Sequence, residues 1–265
     1  LANLRAAHES PYARPYVAAI ARDSSLAAFV AERGSLRWSS RIEIASDPPG
    51  KWRARRLRRD WIATRLWTWT RDTAREALVV SPYFVPRRRF TALLRALARK
   101  GARVEVVTNS LAANDVAAVH GGYMRYRRKL LRGGVRLYEI RDDIDDADAR
   151  STFGSSGASL HTKAALFDGL RGFVGSFNMD PRSARVNSEM GVFFEDEALA
   201  RDLRAEIERL KDPVLSYRPF LDGLNLRWRD EACDPARVFD DEPNSTLTQR
   251  TIARVAGWLP IEQEL

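Results

Sequence analysis

From residue 77 onward, apolar positions follow two alternating rhythms. Residues 77–84 (ALVVSPYF) form a continuous apolar run of strand length, punctuated by Pro82 and Pro86. Over residues 87–100, Phe90, Leu93, Leu94, Leu97 and Ala98 fall at i, i+3, i+4, i+7 and i+8, which predicts a helix that Gly101 stops. A second strand follows at 103–108, and strand–helix–strand in this order implies a right-handed parallel crossover. Another helix is predicted at 122–132, ended by Gly133-Gly134, and a third strand at 135–140. Residues 142–159 are acidic and then Ser/Gly-rich, a loop. Beyond it, strands are predicted at 160–167, 172–176 and 188–194, the first two joined by a tight turn at Asp168-Gly169. The pattern predicts an α/β fold, a mixed β-sheet flanked by helices on both faces.

Upstream of this region the pattern is less regular. Short apolar stretches at 16–20 and 26–30 precede a strand at 41–45 and the turn signal Asp47-Pro48-Pro49-Gly50. A basic run with Arg53, Arg55, Arg56, Arg58 and Arg59 leads into a predicted helix at 60–76 that carries Trp61, Trp67 and Trp69. Two readings of that helix stand side by side: a surface that lies on lipid headgroups, or a core-packed helix with a solvated basic start.

Composition narrows the possibilities. With 265 residues and 45% hydrophobic content the chain can bury a full core. No apolar run reaches the roughly 18 residues of a membrane span, and no basic-then-apolar leader marks it as secreted. It begins at Leu1 without Met, and is read as a fragment whose start, with any membrane segment there, lies upstream. One cysteine, Cys233, excludes an internal disulfide. His8, His120 and His161 are too scattered to suggest a metal site, and His120 reads as structural. The net charge of +9 suits polyanionic partners, an anionic membrane surface or nucleic acid, although an Arg-rich coding bias accounts for such an excess equally well.

The densest chemistry lies between residues 160 and 194. In the strand at 160–167 (LHTKAALF), His161 and Lys163 share one face by the two-residue period. Ser176 and Asn178 follow the next strand, and Glu189 opens the last. These residue types suit a phosphodiester. Imidazole supplies a nucleophile or acid near neutral pH, and Lys163, Asn178 and Ser176 supply donors for the non-bridging oxygens. A carboxylate such as Glu189 can orient an imidazole and stabilise its charged form. Tyr83 and Asn109, near the C-terminal ends of the first two strands, fall where α/β sheets build their crevices; pocket lining and a structural role are both open for each.

His161-x-Lys163-x4-Asp168, with Gly175-Ser176-x-Asn178 after six further residues, resembles the HKD signature of the phospholipase D superfamily. The blocks at 81–86 (SPYFVP) and 108–115 (TNSLAAND), with Trp258-Leu259-Pro260, are similar to the bacterial cardiolipin synthase branch. This resemblance implies transfer of a phosphatidyl group through a covalent phosphohistidine, with no metal or other cofactor. It also implies two HKD motifs meeting across a pseudo-twofold axis. This chain holds one motif and resembles the C-terminal half, so the second would come from a missing N-terminal HKD lobe or from a second copy. By the same resemblance His161 is the acid/base, Lys163, Ser176 and Asn178 bind phosphate, and Glu189 orients an imidazole. Asp168 counts among the catalytic motif residues, with holding the turn its stronger role.

The expected organisation is the end of a first lobe and a linker at 1–70, a phospholipase D-like catalytic lobe at 71–212, and a C-terminal extension at 213–265 packed on the lobe. Expected substrates are phosphatidylglycerol-like phospholipids, handled peripherally on the cytoplasmic side of the bacterial inner membrane. The competing reading is a nuclease or phosphodiesterase that completes its site as a homodimer, with nucleic acid the less favoured partner.

Overall fold

The computed structural model describes residues 39–54, 58–143 and 159–259. The apolar stretches at 16–20 and 26–30, most of the loop at 142–159 and Pro260 lie outside the described residues. The chain divides into two compact units, Leu1–Ser40 and Arg41–Leu265, and every element described here belongs to the second.

Among the described residues ten strands make one mixed sheet: β1 (Ile42–Ser46), β2 (Glu76–Val80), β3 (Arg103–Asn109), β4 (Arg136–Ile140), β5 (Ala164–Phe167), β6 (Arg171–Gly175), β7 (Met190–Glu195), β8 (Ser216–Asp222), β9 (Asn225–Asp230) and β10 (Arg237–Phe239). Their spatial order is β1-β7-β6-β5-β2-β3-β4-β8-β9-β10. The central trio β2, β3 and β4 is parallel, and every other pairing is antiparallel. The helices are α1 (Ile62–Arg71), α2 (Arg87–Arg99), α3 (Ala117–Arg132), α4 (Pro181–Arg185), α5 (Glu197–Leu210) and α6 (Leu247–Trp258).

All five residues of β2 are buried, because both faces of the sheet are covered. Ala77 and Val79 point to a core shared with Ile62 and Leu66 of α1, Leu94 of α2 and Tyr123 of α3. Leu78 and Val80 point to the opposite core, closed by Ala200, Ile207 and Leu210 of α5. Of the two readings for the Trp-bearing helix, the structure selects the packed one. Trp61 is buried, and Trp69 meets Phe193 edge-on at 4.9 Å.

The lobe reaches further upstream than residue 71. β1 pairs in full with β7, and Asp47, just past β1, accepts the Ile62 N–H at 3.1 Å at the start of α1. The C-terminal segment is equally integral, since β8 pairs with β4 and extends the same sheet. A buried polar cluster locks it down. The Arg127 guanidinium of α3 donates to Glu139 of β4 and to Glu242, and Trp228 of β9 donates to Glu139 at 2.7 Å. Burial works against ionising Glu242, but Arg127 and His120 hold it down to about 2. His120 sits in this cluster, 1% exposed, with its ring against Tyr123, as a structural residue does.

α3 begins earlier than the pattern predicts because Gly121 and Gly122 are inside it. A Cβ on Gly121 would lie 2.3 Å from the Ala253 carbonyl of α6, so glycine here permits a close helix–helix approach.

Candidate active site

One edge of the sheet gathers the chemistry. The C-terminal ends of β2 and β3, the N-terminal end of β5, the C-terminal end of β6 and the N-terminal end of β7 all open toward it, as their pairing directions require. The strand expected at 160–167 is shorter than predicted. β5 starts at Ala164, because its neighbour β2 ends at Val80 and Pro82 has no N–H to continue the ladder. His161 and Lys163 therefore lie on an extended segment just ahead of the strand.

That segment is held by a side chain in place of a strand. Asn109, at the end of β3 and 1% exposed, accepts the Leu160 N–H at 3.0 Å and donates to the Leu160 carbonyl at 3.3 Å. It clamps the backbone next to His161 as a neighbouring peptide would, a positioning role. On the β6 side, Gly175 donates to the Lys163 carbonyl at 3.1 Å.

His161 is exposed, whereas Lys163 is 8% exposed, and its Nζ donates to the His161 carbonyl at 2.6 Å. Burial pushes the Lys163 ammonium below its ordinary value, while Glu189, Asp180 and Asp115 pull in the opposite direction.

Glu189 lies just ahead of β7. Its two oxygens accept from the Ser176 hydroxyl and, at 2.8 Å, from the Ser183 hydroxyl; among the described residues no hydrogen bond joins it to His161. Ser176 also accepts from Met190 N–H at 3.0 Å, so the hydroxyl braces the start of β7. Asn178 N–H donates to Ser183 at 3.2 Å, and its side-chain Oδ1 is buried without a hydrogen-bond partner. An amide held by its backbone with its acceptor oxygen unmatched suits an incoming hydrogen-bond donor.

Asp168 is far from this chemistry. It sits past the opposite end of β5, roughly 20 Å from His161 at the rise of an extended chain. At φ 54° it occupies the left-handed region, and its carboxylate accepts from the N–H groups of Ala74, Arg75 and Glu76. Burial opposes ionisation of this carboxyl, yet those three N–H groups and Arg171 hold it below its usual value. It fastens the start of β2 to the β5–β6 turn, the stronger of the two roles expected for it.

Tyr83 borders the site. Its hydroxyl donates to Asp115 at 2.7 Å, and burial pushes its pKa up, with Asp115 adding to the effect. Sequence reasoning did not single out Asp180 and Ser183. Asp180 caps the short α4, accepting from Ser183 N–H at 2.7 Å, and burial pushes it up to about 7, with the Glu189 charge adding to that rise. The signal was present: Asp followed by Pro is a helix-start signature. It is weak in a helix of five residues.

α4 is fixed from beneath by Lys51, a 2% exposed residue upstream of α1. Lys51 pairs with Asp47 and donates to the Ser183 carbonyl at 2.7 Å.

A sheet edge that gathers an exposed imidazole, a buried ammonium and an amide-bearing turn defines a phospholipase D-like lobe. Residues 71–211 match the family described as cardiolipin synthase, PLD-like domain, and the chain belongs to that family. It is 38% identical over 232 residues to cardiolipin synthase C of Escherichia coli (strain K12), covering 86% of this chain and 48% of that protein. With cardiolipin synthase B of the same strain it shares 27% identity over 235 residues, 84% of this chain and 50% of that protein. Among solved structures it is similar to Nuc, a phospholipase D family member from Salmonella typhimurium. That match has 15% identity and a TM-score of 0.47, and covers 67% of this chain and 97% of that one. The chain spans about half the length of the curated relatives it matches. Among the described residues no helix is long and apolar enough to cross a membrane.

Proposed function

We propose that this chain supplies one of two half-sites in an enzyme that passes a phosphatidyl group from one phospholipid to the hydroxyl of another, forming cardiolipin. The observation that carries the reading is the exposed His161 imidazole on the segment whose carbonyl holds the Lys163 ammonium, in a chain of the cardiolipin synthase family. In the proposed sequence the second half-site's imidazole attacks phosphorus, forming a P–N bond as the P–O bond to the donor's alcohol breaks. His161 gives its proton to the departing oxygen. It then takes the proton of the acceptor hydroxyl as that oxygen attacks phosphorus and the P–N bond breaks.

Lys163 through its ammonium and Asn178 through its side-chain amide N–H hold the non-bridging oxygens, where fixed donors are worth most. Ser176, its hydroxyl committed to Glu189, acts through that carboxylate and the β7 start. The protein works peripherally, on the cytoplasmic side of the bacterial inner membrane. The test is to express the full reading frame in cells that lack cardiolipin synthases and to analyse their lipids. New cardiolipin that disappears in His161→Ala is expected. Absence of cardiolipin, together with metal-independent, steeply salt-dependent DNA cleavage by the purified chain, would replace this reading with the nuclease one.

A further inference from the structure

Transfer between two phospholipids brings two phosphodiesters to the enzyme, one that reacts and one that is carried along by the acceptor. His161, Lys163 and Asn178 provide for one. A second provision lies next to them. Between α1, the start of α2 and α4 is a cleft of about 390 Å³, within the range of roughly 300–1,000 Å³ typical of small-molecule sites. Its walls are mainly apolar, with Ala63 and Trp67 of α1 facing Phe90 of α2 and Ala184 of α4. Another wall is built by Phe177, Met179 and Asp180, the same segment that carries Asn178.

Three arginines, Arg87, Arg89 and Arg185, also line the cleft. Among the described residues none of the three makes a hydrogen bond or ion pair. Other guanidinium groups of the lobe are paired, among them Arg65 with Glu43, Arg103 with Glu105 and Arg141 with Asp230. Two of the unpaired ones open α2, a 13-residue helix with no acidic residue in its first turn and no side-chain cap. Cations at a helix N-terminus oppose the macrodipole, and an anion there relieves the conflict. Arg87 also adopts φ 53°, a left-handed conformation that residues other than glycine rarely take.

We infer that this cleft is the subsite of the acceptor lipid: one acyl chain lies along the Trp67–Phe90 wall, and the lipid's own phosphate is held by Arg87, Arg89 and Arg185. The inference rests on the phosphatidyl-transfer reading for the word acceptor, and on the cleft alone for the binding of an anionic phospholipid. The shared wall then brings the acceptor's free hydroxyl to the turn bearing Asn178.

The test is calorimetric titration of the purified chain with dihexanoylphosphatidylglycerol below its micelle concentration. Controls are its deacylated headgroup, glycerophosphoglycerol, and dihexanoylphosphatidylcholine. The expected result is binding of the anionic lipid at least tenfold tighter than either control. Ala184→Trp, which fills the cleft, and Arg89→Glu each weaken it at least tenfold. Thr64→Trp fills the cleft from the α1 side and repeats the test should Ala184→Trp fail to fold, as judged by circular dichroism. Equal affinity for lipid and deacylated headgroup, undetectable lipid binding, or unchanged affinity in the folded cleft-filling variants would overturn the inference. Cleft binding without cardiolipin from the full reading frame removes the transfer reading and keeps the lipid site; cardiolipin without cleft binding does the reverse.

Discussion

The two ends of β5 carry one sequence motif and do opposite things. At the Asp168 end, a carboxylate is held in its charged form by three backbone N–H groups, and the strained φ of its turn is secured by those bonds. At the His161 end, burial pushes Lys163 down and Asp180 up, each away from the charged state it would hold in water. One end lowers the free energy of the fold. The other keeps groups in an electrostatic environment that a stability criterion alone would not select, in keeping with the proposed phosphate-handling role.

Substitutions at each end should separate activity from stability. The largest effect is expected for His161→Ala, which should lower cardiolipin formation by roughly 10²- to 10⁴-fold, the usual contribution of a general acid or base. Its melting free energy should change by no more than about 0.5 kcal/mol, as for most exposed positions. Loss of stability comparable to the loss of activity would erase the contrast between the two ends.

Asp180→Asn comes next. Because the folded protein raises this carboxyl to about 7, its protonated form favours the fold. That contribution is present below the unfolded value of about 3.9 and is lost as pH rises through about 7. Urea melts at pH 4, 6 and 8 should show the parent losing up to about 4 kcal/mol relative to Asp180→Asn across this window. Parallel pH profiles for the two proteins would show that Asp180 is not held against ionisation.

Asp168→Ala should cost about 2 to 3 kcal/mol, since it leaves three N–H groups without their charged acceptor. Activity should follow the folded fraction and return on cooling, unlike that of His161→Ala. The folded pKa of Asp168 is depressed, so its contribution is present above about pH 4 and fades as pH falls through the folded value. Removing the carboxylate should therefore flatten the acid limb of the stability profile. Activity loss at full occupancy of the fold would return Asp168 to the catalytic set.

The smallest effect is expected for Asn109→Ala, about 1 to 2 kcal/mol for a clamp of two hydrogen bonds. It should also lower activity more than its stability loss accounts for, because the freed backbone adjoins His161. Faster amide exchange at Leu160 in the variant is the accompanying readout, and unchanged exchange would remove the clamp.

Local signals were strong enough to read from the chain itself: the continuous apolar run of β2, the period-3.6 pattern of α2, the spacing of His161, Lys163, Ser176 and Asn178, and the turn at Asp168-Gly169. They are local because they depend on side-chain direction within one element. Partners distant in sequence were not legible. Leu160 gave no sign that Asn109, 51 positions away, would clamp it, nor Asp168 that it would bind backbone 94 positions upstream. Glu189 had the right residue type to steer an imidazole, but two hydroxyls reached it in the fold.

From sequence alone the protein was determined as an α/β chain carrying a phosphate-handling motif of the phospholipase D type. Tertiary structure alone decided which of those residues meet at one sheet edge, which secure its far end, and that three unpaired arginines border an apolar cleft beside it. The reason is physical. Residue type and periodicity set what each side chain can do and which way it points along its own element. Burial and the identity of its neighbours, which set its charge state and hydrogen bonds, come only from how distant elements pack.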